Sequence, residues 1–306
     1  MSVQSFELLI LGSSAATPTA NRNPTAQLLN IAERFFLIDC GEGTQMQMRK
    51  YKARFQSINH VFISHLHGDH FYGLPGFLAS MHLLGRKNEL TIYGPKELEE
   101  IINLIHKHSD TYLNYPLKFV YTQNLTKQLV FEDEKVEVYS LPLKHRIATT
   151  GYLFKEKPLY RNIDKYKLEK LNVSFAEIHK LKLGLDALDN NGNTIKNIDL
   201  TLDPPKPRSY AFCSDTKFFE ELARDIKDVD LLYHESTFLE EKKDRAKQTF
   251  HSTAKQAAEM AVLANTQKLL LGHFSARYGD LEEFLNEAKS IYPNTELATE
   301  GQLFSL

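Results

Sequence analysis

The chain predicts an α/β layered domain, because apolar runs of strand length alternate with segments of helical period and no short repeat links them. Strand-like runs begin at Phe6–Leu11, before the turn-rich Gly12-Ser13-Ser14. Ala26–Ile31 and Phe35–Asp39 flank a turn at Ala32-Glu33-Arg34 and read as a hairpin. Ile58–Ser64 is a further strand. Phe71–Leu84 has helical spacing and stops at Gly85. Thr91–Tyr93 reads as a strand, with Pro95 opening a helix over Lys96–His108. The strand-rich stretch that follows holds Lys118–Tyr121, Gln128–Phe131, Val136–Leu141 and Gly151–Phe154.

Between 155 and 207 the pattern weakens to a short helical segment, Asp164–Leu171, a turn at Asn190-Asn191-Gly192-Asn193 and a Pro204-Pro205 stop. Too few apolar residues lie there for a core, so the stretch reads as an insertion into a single domain spanning 1–306. Alternation resumes with strands Tyr210–Ser214, Asp230–Tyr233 and Lys268–Leu271, helices around Phe218–Ile226, Ser252–Ala264 and Leu281–Ser290, and a closing strand Gly301–Ser305.

At 306 residues, with 42% apolar and 25% charged residues, the composition is that of an ordinary globular protein. A net charge of −2 excludes a whole-surface basic coat but leaves room for a local phosphate-binding patch. Cys40 and Cys213 read as two buried free thiols, against a disulfide-stapled secreted fold. The start, Met1 to Glu7, lacks a basic leader, Leu8–Leu11 is too short for a signal core, and nothing approaches the roughly 18 apolar residues of a span. The expected location is therefore the cytoplasm, with no membrane partner.

The chemistry concentrates in His65-Leu66-His67-Gly68-Asp69-His70, directly after the strand Ile58–Ser64. Four metal-binding side-chain types within six residues, on a loop at a strand end, can aim alternate side chains at one point. His65 and His67 suit one metal, Asp69 and His70 a second, with Gly68 permitting the bend. Reading onward for ligands after strands finds His145, Asp215 and His273. Each alone would be an ordinary surface residue; the repeated placement raises all three.

This pattern, HxHxDH followed by distant His, Asp and His, resembles the metallo-β-lactamase superfamily. The resemblance implies an αββα sandwich with a dinuclear site at one edge. It also implies that His65, His67 and His145 hold one metal, Asp69, His70 and His273 the other, and that Asp215 bridges them. Two zinc ions per subunit, or other divalent metals, would be the cofactors. Within that superfamily, Leu11-Gly12-Ser13-Ser14-Ala15-Ala16-Thr17-Pro18 with Arg22-Asn23, Asp39-Cys40-Gly41-Glu42-Gly43-Thr44-Gln45, Gly73-Leu74-Pro75-Gly76, His234-Glu235-Ser236-Thr237, His251-Ser252-Thr253 and His273–Tyr278 resemble, in order, the tRNA 3′-processing endoribonucleases, the ribonuclease Z family. The chain departs from that family's PxKxRN loop by Ala20 at the lysine position, and Ser174-Phe175-Ala176-Glu177 stands where a Gly-Pro-rich arm tip is common.

The extra motifs suit cleavage of a phosphodiester, whose leaving 3′-oxygen needs a proton. His251 held by Glu235 is the expected donor pair. Asp69 is expected to take a proton from the attacking water, and Arg277 to grip a phosphate oxygen. Between Lys155 and Lys182 lie eight basic residues (Lys155, Lys157, Arg161, Lys165, Lys167, Lys170, Lys180 and Lys182) against the acids Glu156, Asp164, Glu169 and Glu177. Residues 155–207 are thus expected to form a basic, flexible arm that grips precursor tRNA, with Lys165 and Lys167 among its contacts. By resemblance the arm works across a homodimer. The competing readings are a phosphodiesterase of cyclic nucleotides or small phosphodiesters on the same ligands, and a metal-bound RNA-binding scaffold without turnover. No stretch between Asp215 and His273 is long enough for a β-CASP insertion.

Overall fold

The computed structural model describes residues 4–123, 125–169, 171 and 173–306; Met1 to Val3 of the predicted unbasic start, and Lys170 of the basic run, lie outside the described residues. Contacts divide the chain into two compact units, 1–155 with 208–306, and 156–207.

The larger unit holds two seven-stranded sheets. The first runs in the order Leu303–Ser305, Phe6–Gly12, Ala26–Ile31, Arg34–Ile38, Ile58–Phe62, Leu90–Gly94, Leu117–Tyr121. It is antiparallel up to Arg34–Ile38 and parallel beyond. The second runs Thr295–Leu297, Lys268–Gly272, Leu231–Glu235, Ser209–Cys213, Thr149–Glu156, Val136–Leu143, Gln128–Glu132. Its first four strands are parallel, and Thr149–Glu156 joins antiparallel.

Strand residues alternate faces, and that alternation builds the layers. Phe6, Leu8, Ile10, Phe36, Ile38, Tyr152, Phe154, Phe212, Tyr233 and Leu270 form one buried cluster between the sheets. Their neighbours Leu11, Leu37, Val61 and Ile92 face the helices Thr44–Lys50, Leu74–Leu83 and Glu97–His108. Leu232, Leu269 and Leu271 face Ala254–Leu263 and Glu282–Lys289 on the other side. The result is the αββα sandwich.

The hairpin at Ala32-Glu33 turns through left-handed φ values of 49° and 65°, which match strand twist. The helix expected over Phe71–Leu84 is two pieces, Gly68–Phe71 and Leu74–Leu83. Gly73 sits at the break, where a Cβ would come within 2.1 Å of the Gly41 carbonyl, and Pro75 restarts the helix. The helix expected over Phe218–Ile226 is one turn, Leu222–Asp225. Gly68 has no left-handed φ; it begins the short helix and leaves room for the Tyr72 ring.

Residues 156–207 carry short helices, Lys165–Leu168, Phe175–Lys182 and Asn197–Leu200, and two small antiparallel two-stranded sheets. Contrary to the expectation from composition, they enclose a small core of Leu181, Ala187 and Leu200, lined by Ile163, Leu168 and Ile195. The stretch Ser174–Glu177 is a helix start, with Ser174 Oγ accepting from the Glu177 N–H at 3.4 Å.

Candidate metal centre

The parallel strands of both sheets end on one edge, and the ligands follow those ends. His65 to His70 leave Ile58–Phe62, Asp215 leaves Ser209–Cys213, and His273 leaves Lys268–Gly272. Asp39, Asp215 and His273 all take left-handed φ (55°, 58°, 59°), an uncommon conformation for side-chain-bearing residues that here turns each one at a strand end.

The side chains fall into two adjoining groups, His65, His67, His145, Asp215 and Asp69, His70, His273, with the donor atoms of each within 4.8 Å of one another. In the first, His65 Nε2 and His145 Nε2 lie 3.0 and 3.3 Å from His67 Nδ1, and both lie 3.6 Å from Asp215 Oδ2. In the second, His70 Nε2 lies 3.3 Å from His273 Nε2 and 3.3 Å from Asp69 Oδ2. The other Asp215 oxygen, Oδ1, lies 3.1 Å from His70 Nε2 and 3.0 Å from His273 Nε2. A tetrahedral ion with bonds of about 2.0–2.1 Å has donor–donor edges of about 3.3 Å. These spacings fit that figure, and the two oxygens of Asp215 face different groups.

Hydrogen bonds orient the rings, as metal sites require. His70 Nδ1 meets Asp39 Oδ2 at 2.6 Å, and Asp39 also accepts the Ser64 N–H and hydroxyl. His65 Nδ1 lies 3.0 Å from Ser64 Oγ, His145 Nδ1 3.0 Å from the Phe250 carbonyl, and His273 Nδ1 3.0 Å from Thr237 Oγ1. Each imidazole that offers Nε2 is therefore fixed at Nδ1. Gly41 completes the support: a Cβ there would fall 2.4 Å from the Asp69 carbonyl, so only glycine lets the Asp39–Gly43 loop back the histidine loop.

Burial lowers the pKa of His65, His67 and His145, which keeps them neutral and ready to bind metal. Burial alone would raise Asp69 and Asp215, but the facing histidines outweigh it and hold both carboxyls well below the usual range. Asp69 and Asp215 thus crowd one buried region with His65, His70, His145 and His273 as their ion-pair partners and no Lys or Arg beside them among the described residues. Two buried carboxylates facing imidazole nitrogens make a place for cations. The donor set fits divalent metals.

Beside this group, Glu235 is fully buried at a strand end, not a solvated helix start. Its Oε1 meets His251 Nδ1 at 2.7 Å, and Oε2 accepts the Thr237 hydroxyl at 2.7 Å. His251 is not a helix cap; Thr253 fills that role with a capping box to Gln256. Although burial lowers the His251 pKa, Glu235 beside it prevails and pushes it up to about 9. The His251 ring stands 5.0 Å from His145 and 5.5 Å from His273. Thr237 connects His273 to Glu235; its place in the quoted His234–Thr237 motif was the only signal of it in the sequence. Asp39 and Ser64 were similarly visible only as motif and strand residues.

Arg277 is exposed, with Nε donating to Ser275 Oγ and Cζ over the Phe238 ring, rather than in a surface ion pair. Arg22 and Asn23 of the first motif brace loops, Arg22 donating to the Tyr278 carbonyl and Asn23 Nδ2 to Glu300. Lys165 and Lys167 lie on the separate unit 156–207, where Lys167 Nζ donates to the Asp199 carbonyl. Cys40 and Cys213 are free and buried, and burial pushes both thiols far up, so neither is a ligand. No helix among the described residues is long and apolar enough to cross a membrane.

Residues 6–173 match the family model described as anti-Pycsar protein Apyc1, and that part of the chain belongs to this family. Over its whole length the chain is 50% identical to "Ribonuclease Z" of Cytophaga hutchinsonii, across 300 residues covering 98% of this chain and 96% of the relative. Among solved structures, the short form of human tRNase Z superposes with a TM-score of 0.70 at 25% identity, covering 98% of each chain. The metallo-β-lactamase fold protein YhfI from Bacillus subtilis has a TM-score of 0.71 at 16% identity, over 99% of this chain and 100% of its own, a likeness of fold. With near-complete coverage at half identity, and with its motifs gathered at one sheet edge, the chain belongs to the ribonuclease Z family of the metallo-β-lactamase fold.

Proposed function

We propose that the protein is a zinc-dependent endoribonuclease that removes the 3′ trailer from precursor tRNA and leaves a 3′-hydroxyl on the tRNA. The observation that carries this reading is the pairing of the seven-residue ligand set with the Glu235–His251 dyad alongside it. Full-length relatives named Ribonuclease Z and the likeness to the short form of human tRNase Z support this reading.

His65, His67 and His145 would hold one zinc ion, Asp69, His70 and His273 the other, with Asp215 shared. Bound there, such ions lower the pKa of the attacking water and offset charge on the phosphate. Asp69, ionised at neutral pH, accepts the proton of that water. His251, kept protonated by Glu235, delivers a proton to the departing 3′-oxygen. Arg277 meets a phosphate oxygen, and Lys165 and Lys167 of the inserted unit 156–207 meet tRNA phosphates. The family resemblance supports a homodimer, and the substrate supports a cytoplasmic location.

The test compares kcat/KM on a 3′-extended precursor tRNA with that on a cyclic nucleotide and a small chromogenic phosphodiester. The proposal expects the tRNA precursor to be favoured by orders of magnitude. Preference for the cyclic nucleotide would move the assignment to a phosphodiesterase on the same ligands.

A further inference from the structure

Two aromatic residues, each with a cation over its ring, stand by His251: Phe238 in ring contact with it and Phe250 before it in the chain. Arg277 Cζ lies 5.1 Å from the Phe238 ring centroid, and Lys217 Nζ lies 5.2 Å from that of Phe250. Phe238 is buried, its ring 6.2 Å from His251. Phe250, the residue before His251, is only half-buried and belongs to none of the hydrophobic clusters.

Phe250 is nevertheless held firmly. Its φ of 60° is one that bulky residues rarely adopt and glycine adopts freely. Its carbonyl accepts from His145 Nδ1 at 3.0 Å. The backbone at this point therefore serves the metal centre, while the side chain serves neither core nor backbone geometry. Lys217, two residues after Asp215, has no ion-pair partner among the described residues, and its N–H is tied to the Lys144 carbonyl at 3.0 Å. An ammonium with no ion-pair partner among the described residues thus sits over the partly open ring of the residue that directly precedes His251, the group that would protonate the leaving oxygen.

We infer that Phe250 and Lys217 form a nucleotide subsite. The base of the nucleotide whose 3′-oxygen departs stacks on the Phe250 ring, and the Lys217 ammonium meets the adjoining phosphate. His251 dictates this polarity, because the group it protonates belongs to the tRNA side of the cut. The inference rests on the endoribonuclease reading above.

The test uses the full chain and two precursor tRNAs, one normal and one abasic at the nucleotide preceding the cut. Phe250→Gly suits the purpose because glycine keeps the left-handed backbone, and with it the His145 contact, while removing only the ring. It is expected to lower kcat/KM on the normal substrate about tenfold. On the abasic substrate it should match the parent, with zinc content unchanged. Phe250→Tyr should restore the normal rate to within about twofold. Lys217→Met should flatten the dependence of log kcat/KM on log salt by about 0.7. Equal loss on both substrates, or no loss on either, overturns the subsite while leaving the endoribonuclease assignment standing. If the parent cleaves neither precursor, the assignment itself falls, and the subsite with it.

Discussion

At the metal centre, His65, His70, Asp215 and Glu235 are buried, and their polar atoms face one another or a fixed hydrogen-bond partner. In residues 156–207 the charged side chains are mostly exposed and pair locally: Lys180 with Glu177, Lys196 with Asp186, Arg161 with Asp203. That unit holds nine basic and eight acidic residues in all, so the basic excess seen up to Lys182 is nearly cancelled by the acids that follow. Burial makes residue identity at the centre binding on the chemistry, because an unpaired buried charge is expensive. Exposure makes the inserted unit tolerant, because surface pairs contribute about 0–1 kcal/mol.

The difference predicts a steep gradient of mutational effects. His67→Ala should lower precursor cleavage by about 10³-fold or more and release zinc, since the metal supplies several kcal/mol of charge stabilisation. Cleavage assays and metal analysis of the same sample check this together. His251→Ala should cost about 10²–10³-fold, the usual worth of a positioned proton donor, with zinc retained.

The pH profile sharpens the role of that donor. The proposed mechanism has His251 act protonated, and Glu235 raises its pKa to about 9, so parental kcat/KM should hold through neutral pH and fall on an alkaline limb. Glu235→Gln removes the cause of the raised value, so the limb must move to lower pH. An unmoved limb would detach Glu235 from proton delivery.

Replacing 156–207 by a short turn tests the other half of the comparison. Lys155 and Ser209 are cross-strand partners, and none of the three large cores draws on the removed residues, so the sandwich should still fold. Precursor tRNA cleavage should fall by about 10²-fold or more, through KM, as phosphate contacts are lost. Hydrolysis of a small phosphodiester should stay within about twofold. The smallest effect is expected for Lys165→Ala with Lys167→Ala, a loss of less than about tenfold that shrinks as salt rises.

What could be read from the sequence follows the same division. Apolar runs located nearly every large strand, since strands such as Ala26–Ile31, Leu90–Gly94 and Ser209–Cys213 are buried along their whole length. The ligands were legible because His, Asp and a strand end recur together. Thr44–Lys50 escaped notice because Gly43 begins it with left-handed φ and no side-chain cap, and its apolar positions are two methionines. The helix Phe175–Lys182 has an S-x-x-E start at Ser174 and Glu177, but it buries only Leu181, so no apolar period marks it in the sequence. Thr237, Asp39 and Ser64 carry no metal-ligand signature of their own, so only the fold reveals that they fix the imidazoles.

The most direct test is to incubate the zinc-loaded protein and a chelator-treated sample with a 3′-extended precursor tRNA and map the new end. A single cut that leaves a 3′-hydroxyl, disappears on chelation and returns with zinc is the expected result. Cleavage that survives complete metal removal, or that leaves a 3′-phosphate on the tRNA, would contradict the account.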